Sequence, residues 1–359
     1  MTSSHGRGLL HLAAAVDLPP AHAAAPYTDL VRLAESGGLD FVTLGDGYGR
    51  PGPDALAVLS RVAPETSRIG LVPTVTTTHT EPFHVQAAVA TLDWVSRGRA
   101  GWRLEVSAGE DEARLFGRRR TGSADALWRE AGEVADAAAR LWDSWEDDAE
   151  VHDVSTGRFV DRDKLHPVRF TGTGFSVEGP SVVPRPPQGH PVRVVDATAE
   201  AARRTAARYA DVALLSTAGA AQTAAVRDRL RSLAAGFGRP PGTPRVLVSL
   251  AVDLGGGERA AAPGHGGGGP RQTAHGPLYR GGPVGLAELI AAWHTDGVAD
   301  GFHLVPVEPR RDLERLVNGT VALLQHRGLF RTFYPGSTLR EHLGLARPAN
   351  RYAMTGGTS

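Results

Sequence analysis

The sequence predicts an α/β fold, a (β/α)8 TIM barrel with insertions after helix 4 and strand 7. Short apolar segments rich in β-branched residues alternate with amphipathic helical segments, which is typical of parallel strands joined by helices. Polar residues crowd where several strands end, and 359 residues accommodate one barrel of about 250 residues plus insertions. A doubly wound open sheet is the alternative, because alternation alone does not distinguish open from closed sheets. No glycine-rich dinucleotide fingerprint follows the first strand, which favours the barrel.

One βαβ unit, Arg68 to Ser107, shows this architecture most clearly. Ile69 to Val75 is a short, apolar, β-branched strand, and three threonines and His79 crowd where it ends. Glu81-Pro82 opens a helix, because proline suits the first helical turn and a carboxylate there faces the positive end of the helix dipole. The helix ends near Gly98, and a second apolar strand follows. In a parallel barrel, the chemistry is found where such strands end.

The same alternation continues on both sides of this unit. Further strands are predicted at Gly8 to Val16, Leu39 to Leu44, Pro191 to Val195, Asp211 to Leu215, Arg245 to Val252 and Gly301 to Val305. Further helices are predicted at Tyr27 to Glu35, Asp54 to Ala63, Ala124 to Trp145, Ala199 to Tyr209, Ala220 to Ala235, Gly285 to His294 and Arg311 to His326. A polar loop is expected after Ser107. Together these segments form eight strand–helix pairs.

Three segments depart from the alternation within a chain that we predict to be one domain, residues 1–359. Residues 146–189 carry short alternating pieces that predict an antiparallel excursion around Val168 to Val177. Residues 255–282 are rich in glycine, proline and histidine and too poor in apolar residues to pack, so we expect a flexible insertion. Residues 328–359 form a carboxyl-terminal extension with several aromatic residues.

Composition excludes several classes of function. Basic and acidic residues both total 39, so no net charge would attract nucleic acid or an acidic membrane surface. The chain contains no cysteine, which excludes disulfides, thiolate nucleophiles and cysteine-ligated metal centres. His265 and His275 match no zinc spacing, so no metal is expected. No apolar run is long enough to cross a membrane or resembles a signal peptide, so we expect a cytoplasmic protein with a small-molecule partner.

Three histidines fall near predicted strand ends and are candidates for catalysis. His11, His79 and His303 belong to strands one, three and eight, so in a closed barrel their side chains could converge on one mouth. A histidine there could accept or donate a proton, because its pKa lies near neutrality. His79 is the first candidate because it stands beside Thr77 in a polar cluster, and His11 is the second. Hydrogen-bonded packing residues are the alternative interpretation for each.

Several motifs stand in one order along nearly the whole chain: TVTTTHTEPFH, ATLDWVSRGRAGWRLEVS, LWDSW, GTGFSVEGP, PPQGHPV, AARYAD, ADGFHL and LLQHRGLFRTFYPGSTLREHLGL. Together they resemble the bacterial luciferase-like flavin monooxygenases, most closely the nitrilotriacetate, EDTA, dibenzothiophene-sulfone and pristinamycin IIA oxygenases. The resemblance implies a TIM-barrel subunit that takes reduced FMN from a separate flavin reductase and binds O2. It also implies oxygenation of a small organic substrate through a flavin C4a-peroxide, in a homodimer or homotetramer.

The resemblance assigns flavin contacts to several residues. Asp46, after the second strand, matches the family's acidic position and would face the flavin ring. Thr77 matches a threonine that contacts the isoalloxazine, and Ser107 matches the serine that ends the fourth strand. Other positions depart from the family pattern, including Val106, which replaces a threonine in the fourth strand. Arg103 replaces an asparagine in the fourth strand, and Trp128 replaces a tyrosine in the next helix, which keeps the aromatic bulk without the hydroxyl.

The largest departure lies in the phosphate-binding turn that the resemblance places after the fifth strand. The family's glycine- and serine-containing turn here reads VDATAEAAR, from Val195 to Arg203. Glycines let backbone N–H groups approach a phosphate, so the alanines remove that close approach. Arg203 is kept, and Thr198 is the residue that could substitute for the serine.

Three functions stay open at this point. The first is an active FMN enzyme with an altered flavin site, in which Arg103 or Arg203 forms a bidentate ion pair with the phosphate in place of the backbone N–H groups. The second is a barrel without tight FMN binding that acts as a non-catalytic partner subunit or small-molecule binder. The third is a deazaflavin (F420)-dependent oxidoreductase on the same barrel. The closer match to the FMN oxygenases favours the first over the third.

Overall fold

Parallel strands alternate with helices along the chain, as the sequence predicts. The computed structural model describes residue 8 and residues 10–19, 22–255 and 269–353. In chain order the strands are β1 His11–Ala15, β2 Phe41–Leu44, β3 Gly70–Thr76, β4 Gly101–Glu105, β5 Glu150–Asp153, β6 Arg158–Val160, β7 Val168–Thr171, β8 Ser176–Gly179, β9 Val192–Asp196, β10 Val212–Leu215, β11 Arg245–Asp253, β12 Arg271–Thr273, β13 Gly276–Arg280 and β14 Gly301–Pro306. The helices are α1 Ala25–Ser36, α2 Ala55–Val62, α3 Pro82–Val95, α4 Glu110–Phe116, α5 Ala124–Asp143, α6 Glu200–Tyr209, α7 Ala220–Gly236, α8 Pro283–Thr295, α9 Pro309–Arg315, α10 Ala322–His326 and α11 Leu339–His342.

Eight of the strands close into a ring. Their order is β10, β9, β4, β3, β2, β1, β14 and β11, and β10 also pairs with β11. Every pairing around the ring is parallel, including the closing ladder that begins where Val212 meets Arg245. The predicted (β/α)8 TIM barrel is therefore confirmed, and the open-sheet alternative is wrong.

Helix α5 illustrates why the outer layer packs as it does. Ser123 caps its amino end by accepting a hydrogen bond from the Ala126 N–H at 3.3 Å. Its residues Trp128, Ala131, Ala135, Ala138 and Trp142 recur every three or four positions, so they share one helical face. That face is buried in an apolar cluster with β4, β9 and α6.

The amino end of the barrel is filled by apolar side chains and by part of the carboxyl-terminal extension. Inward residues of the strands form one buried layer with Leu339 and Leu343, at the start and end of α11. Gly70 and Gly101 make room for this plug, since a Cβ at Gly70 would lie 2.6 Å from the Leu339 side chain. Within the described chain, the amino end of the barrel interior is therefore filled.

The insertions lie outside the ring and contain more regular structure than the sequence predicts. Between α5 and β9, β7 pairs with β8 in the expected antiparallel excursion, and a second hairpin joins β5 and β6. Of the 255–282 segment, residues 256–268, and with them His265, lie outside the described residues. The expectation of an unpacked segment is wrong for its later part, because β13 extends the barrel sheet beside β11 and buries Tyr279.

Helix α4 is a further correction, because its residues were expected to form a polar loop. Three acidic residues, Glu110 to Glu112, occupy its first turn, where they face the positive end of the helix dipole. Among the described residues, no helix combines the length and the apolar character that spanning a membrane requires.

Candidate active site at the carboxyl end of the barrel

A polar layer lies inside the barrel above the apolar floor. Residues two positions apart on a strand face the same side, so the next inward residues after Phe41 and Leu247 are Thr43 and Ser249. The same alternation brings six polar side chains into the interior: Thr43, Thr74, Arg103, Asp196, Ser249 and His303. The interior of the barrel changes from apolar to polar toward the ends of the strands, where TIM barrels hold their ligands.

His303 joins three strands at the centre of this layer. Its Nε2 is 2.8 Å from the Thr43 hydroxyl and its Nδ1 is 3.0 Å from the Ser249 hydroxyl. Burial lowers the pKa of His303 to about 3, and the positive charge of Arg103 acts in the same direction. The imidazole is therefore neutral at physiological pH, so it fixes two hydroxyls and adds no charge to the site.

Arg103 and Glu105 stand two positions apart on β4 and face the same interior. Arg103 Nη2 lies 3.5 Å from a carboxylate oxygen of Glu105. Burial raises the pKa of Glu105, and the charge of Asp196 adds to this, while Arg103 and the Val106 N–H oppose it. A carboxylate whose pKa is raised in a cleft is a candidate for proton transfer.

Two buried polar atoms, one on Arg103 itself and one on Thr74 of β3, lack hydrogen-bond partners in the described chain. Thr74 is the register neighbour of Arg103 across β3 and β4. The Thr74 hydroxyl and Arg103 Nε are both buried, and neither has a hydrogen-bond partner among the residues that the structure describes. Because buried polar groups are nearly always hydrogen-bonded, these adjacent atoms indicate a position for a polar ligand edge.

Three residues that the resemblance assigns to the flavin organise the loops around the mouth. The Asp46 carboxylate accepts hydrogen bonds from the N–H groups of Gly47 at 2.7 Å and Ala55 at 2.8 Å, so it fixes the loop before α2. Thr77 donates both its N–H and its hydroxyl to the Glu105 carbonyl, at 2.9 and 3.0 Å. The Ser107 hydroxyl donates to Glu112 of α4.

Helix α4 covers one side of the mouth and packs against His79. The Phe116 ring stacks on the imidazole with 4.7 Å between centroids and 9° between planes. Tyr48 packs edge-on against Phe116 at 4.5 Å, and the Gly49 N–H donates to Glu112 at 3.0 Å. Aromatic contacts and one carboxylate therefore connect α4 to the loops after β2 and β3.

His79 keeps an unused nitrogen in this arrangement. Its Nε2 is buried and has no hydrogen-bond partner within the described part of the chain. Burial lowers the pKa of His79, and the nearby Arg119 charge lowers it further. The imidazole is thus held neutral, which is the form that accepts a proton.

A cavity of about 380 Å³ opens beside these groups. Its polar lining includes Asp46, Tyr48 and Thr76, and its apolar lining includes Val85 and Ala88. This volume is within the range of small-molecule sites, which are largely apolar with a few placed polar groups.

His11 is not part of this mouth, which corrects the prediction that it converges with His79. Strand β1 begins at His11, so this residue lies at the amino end of the barrel. Its Nδ1 is 3.1 Å from the Asp40 carboxylate, which Arg331 also contacts at 3.0 Å. The predicted strand began at Gly8, and the earlier start displaced His11 toward the wrong end.

The turn between β9 and α6 holds the remaining predicted flavin residues, and their side chains are already engaged. The Thr198 hydroxyl accepts a hydrogen bond from the Ser216 N–H at 2.8 Å. Arg203 donates from Nε to the Ala197 carbonyl at 3.3 Å and from Nη2 to the Thr198 carbonyl at 3.0 Å. Trp128 is 7% exposed and belongs to the same apolar cluster as Ala197, so it packs in the wall instead of lining the mouth.

Sequence reasoning missed Thr74, Glu105 and Asp196 as members of the site. The signal that could have found them is the period-two alternation of the strands, since Thr74 is paired with Arg103 and Asp196 lies two positions beyond Val194, the β9 partner of Arg103. No group of three or more potential metal-ligating side chains is found in the described ranges.

Comparison with known proteins identifies the family. The profile described as luciferase-like monooxygenase matches residues 5–264. N-acetyl-S-(2-succino)cysteine monooxygenase of Bacillus subtilis is 30% identical, and the alignment covers 91% of each chain. Nitrilotriacetate monooxygenase component A of Aminobacter aminovorans is also 30% identical over 91% of each chain.

The chain belongs to the luciferase-like monooxygenase family. The structure of EDTA monooxygenase from Chelativorans shares the fold with a TM-score of 0.81 at 22% identity, covering 95% of this chain and 99% of that one. Proteins that use coenzyme F420 share the fold as well, with TM-scores of 0.64 and 0.65. The resemblance stated from the motifs is therefore confirmed at the level of the family, and nitrilotriacetate, dibenzothiophene-sulfone and pristinamycin IIA proteins are among its similar relatives.

A luciferase-like barrel implies a flavin, and the residues present fit its two ends differently. The ring of a flavin carries a polar edge, which suits the unpaired Thr74 hydroxyl and Arg103 Nε. The phosphate requires free backbone N–H groups or a cation. At the β9–α6 turn Arg203 is engaged with the carbonyls of Ala197 and Thr198, whereas the amino end of α6 has no side-chain cap. The mouth therefore fits the ring, and the first backbone N–H groups of α6 would be the donors for the phosphate.

Proposed function

We propose that this chain is the oxygenase component of a two-component flavin monooxygenase. It takes reduced FMN from a separate flavin reductase and uses O2 to oxygenate a small organic substrate, as a cytoplasmic homodimer or homotetramer of single barrel domains. Bound reduced flavin would supply the electrons that activate O2. The observation that carries the proposal is the adjacent pair of buried, unpaired atoms in the described barrel, Thr74 Oγ1 and Arg103 Nε, in a chain of this family.

The chain's own residues would bind and orient the ring. Thr74 and Arg103 lie side by side on β3 and β4, so they can hold two positions of one polar edge. Arg103 is kept in place by Glu105, and His303 below it stays neutral, so the guanidinium is the positive group facing the ring. A cation at this position favours a flavin that carries negative charge.

Helix α4 and the loop after β2 would exclude water from the site, and neighbouring side chains would transfer protons. Tyr48, Phe116 and His79 form one aromatic group over the side of the mouth. A covered site strengthens the electrostatic interactions inside it and protects reactive species from hydrolysis. The neutral His79 can accept a proton at Nε2, and Glu105, whose pKa is raised by burial, is a second group positioned for proton transfer.

The cavity beside the mouth limits the size and polarity of the substrate. A volume of about 380 Å³ and a lining that includes Leu56, Val85 and Ala88 suit a small, partly apolar molecule. The Thr76 and Asp46 groups at its edge supply a few polar contacts.

Anaerobic titration with reduced FMN, followed by mixing with oxygenated buffer, tests this function. We expect saturable binding and a rate of flavin reoxidation that differs from that of free flavin. A chain that binds neither reduced nor oxidised FMN and leaves the reoxidation rate unchanged is not an oxygenase component.

A non-catalytic partner subunit is the second candidate. It is favoured by the turn between β9 and α6, where the Arg203 side chain is hydrogen-bonded to the carbonyls of Ala197 and Thr198. In that case the chain would bind no flavin alone and would change the activity of a second luciferase-like chain. The titration above separates the two functions, because it measures flavin binding by this chain without a partner.

A further inference from the structure

Helix α4 lies over the barrel mouth with few buried contacts of its own. Of its seven residues, Ala113 alone is buried, and Leu115 is 69% exposed. An element that buries so little apolar surface opens at a low cost in free energy. Its position on the mouth therefore depends on a small number of specific contacts.

The Glu112 carboxylate supplies two of these contacts, one to each of two loops. Its Oε1 accepts a hydrogen bond at 3.0 Å from the N–H of Gly49, in the loop after β2. Its Oε2 accepts a hydrogen bond from the hydroxyl of Ser107, which follows β4. Hydrogen bonds to an ionised group are stronger than neutral ones, so this one side chain ties α4 to the ends of two barrel strands.

Glu112 and Phe116 act on the same face of α4. They are four positions apart, which makes their side chains neighbours on the helix surface. Phe116 stacks on the His79 ring, and Tyr48 packs edge-on against both rings, with centroid distances of 4.5 Å to Phe116 and 6.1 Å to His79. The carboxylate and the aromatic group thus hold one side of the helix against the mouth.

The charged contacts that follow α4 do not replace this connection. The helix ends at Gly117, whose backbone is left-handed with a φ of 62°. Beyond it, Arg118 contacts Glu81 and Arg119 contacts Glu130, each at 2.8 Å. These arginines anchor the chain after the helix and leave its amino half to Glu112.

We propose that Glu112 is a positioning residue of the mouth, which holds α4 closed and, through Phe116, fixes the His79 ring beside the cavity. The proposal rests on the proposed function, because it takes His79 to be a group of the flavin site. Without Glu112, the amino half of α4 moves away, the aromatic stack loosens and water enters the mouth. Opening and closing of α4 then controls access to the site.

Amide hydrogen exchange on the full chain without flavin tests this role, so its outcome is independent of the FMN titration. Rates are expressed relative to the amides of β3 and β4 in the same sample, which removes any general loss of stability. In Glu112→Ala, we expect the amides of Gly49 and of residues 113–117 to exchange about tenfold faster or more than in the wild type.

Two further variants control this result. Glu112→Gln should stay within about threefold of the wild type, because its amide oxygen can accept from Gly49 and its amide N–H can donate to the Ser107 hydroxyl oxygen. Glu110→Ala removes an exposed acidic residue from the same helical turn and should also stay within about threefold. Equal relative rates in Glu112→Ala and Glu110→Ala would overturn the proposal.

The pKa of the His79 imidazole, followed by NMR, gives a readout whose sign differs between the two Glu112 variants. Burial lowers this pKa and the Arg119 charge lowers it further, while the charges of Glu112 and Glu130 raise it. Glu112→Gln removes a negative charge and keeps α4 closed, so the pKa should fall below the wild-type value. Glu112→Ala also uncovers the ring, and because burial is the larger effect, the pKa should rise. A fall in both variants would show that Glu112 acts through its charge alone and would refute the positioning role.

Discussion

Arg103 is the residue with the most direct expected effect on flavin binding. Its Nε is buried without a partner among the described residues, and its Nη2 is 3.5 Å from Glu105. Hydrogen bonds to a charged group contribute about 1.5–3 kcal/mol, so Arg103→Gln should weaken flavin binding at least tenfold. The measurement is a fluorescence titration with FMN or riboflavin. Arg61→Gln, an exposed arginine of α2, is the control and should bind as the wild type does.

For Thr74 we predict that removing the hydroxyl does not lower the stability of the fold but does weaken flavin binding. Its hydroxyl is buried and unpaired within the described chain, so Thr74→Val should leave the free energy of unfolding unchanged or raise it. The same change should weaken flavin binding about fivefold, because a ligand partner is lost. Thr43→Val is the matched control, since that hydroxyl is bonded to His303 and its loss should destabilise the fold. A destabilised Thr74→Val with intact flavin affinity would show that the hydroxyl is structural.

Individual site residues were predictable only in part. Arg103 could be found because the strand motif marks its position, whereas Thr74 needed the register between β3 and β4. His11 was misplaced because an apolar run does not show where hydrogen bonding to the neighbouring strand begins. Arg203 was predicted from its place in the motif, but its hydrogen bonds to the turn follow from tertiary geometry.

Among the secondary-structure elements, α11 has the clearest mechanical role, since it plugs the amino end of the barrel. Leu339 is fully buried among inward residues of the strands, including Phe41 and Val72. Leu339→Ala should lower the free energy of unfolding by about 2–5 kcal/mol, because it leaves a cavity in a packed layer. Urea unfolding measures the change. Phe333→Ala, in the same extension but 76% exposed, should have almost no effect, and equal effects of the two changes would contradict the plug.

Helices and strands with strong apolar periodicity were predictable, and the short α4 was not. Its polar composition resembles a loop, and its helical state depends on acidic residues at the amino end and on contacts to neighbouring loops. The same reason applies to β13, which is stabilised by pairing with β11 more than by its own composition.

At the scale of the whole molecule, acid stability should depend on Asp211. This carboxylate is fully buried at the start of β10 and lies 3.5 Å from Arg340 of α11. Burial opposes its ionisation, but the charges of Arg340, Arg193 and Arg239 outweigh that effect and hold the pKa of Asp211 well below its usual value. The contact also ties the carboxyl-terminal plug to the barrel wall.

Asp211→Asn should therefore lower the free energy of unfolding by about 3–5 kcal/mol at pH 7, because it leaves buried arginines unpaired. Since folding lowers the pKa, the stabilisation is complete above the ordinary value of 3.8 and is lost as the pH falls below it. The difference between wild type and variant should shrink by about 1 kcal/mol between pH 7 and pH 3. Urea unfolding at both pH values checks this, with the exposed Asp228→Asn as control. A difference that does not change with pH would contradict the assigned pKa direction.

The closed barrel itself was predictable, because eight strand–helix pairs and one long collinear set of motifs constrain the topology. The packing of the turn between β9 and α6 was harder to predict. The sequence shows its alanines, but their burial beside Trp128 depends on how α5 packs over β9.

A crystal structure of the chain with riboflavin or FMN tests the central claim, which is that the carboxyl end of the barrel holds a flavin ring. The predicted result is a ring whose polar edge lies within hydrogen-bond distance of Thr74 Oγ1 and Arg103 Nε. A flavin bound away from Thr74 and Arg103 would contradict this account.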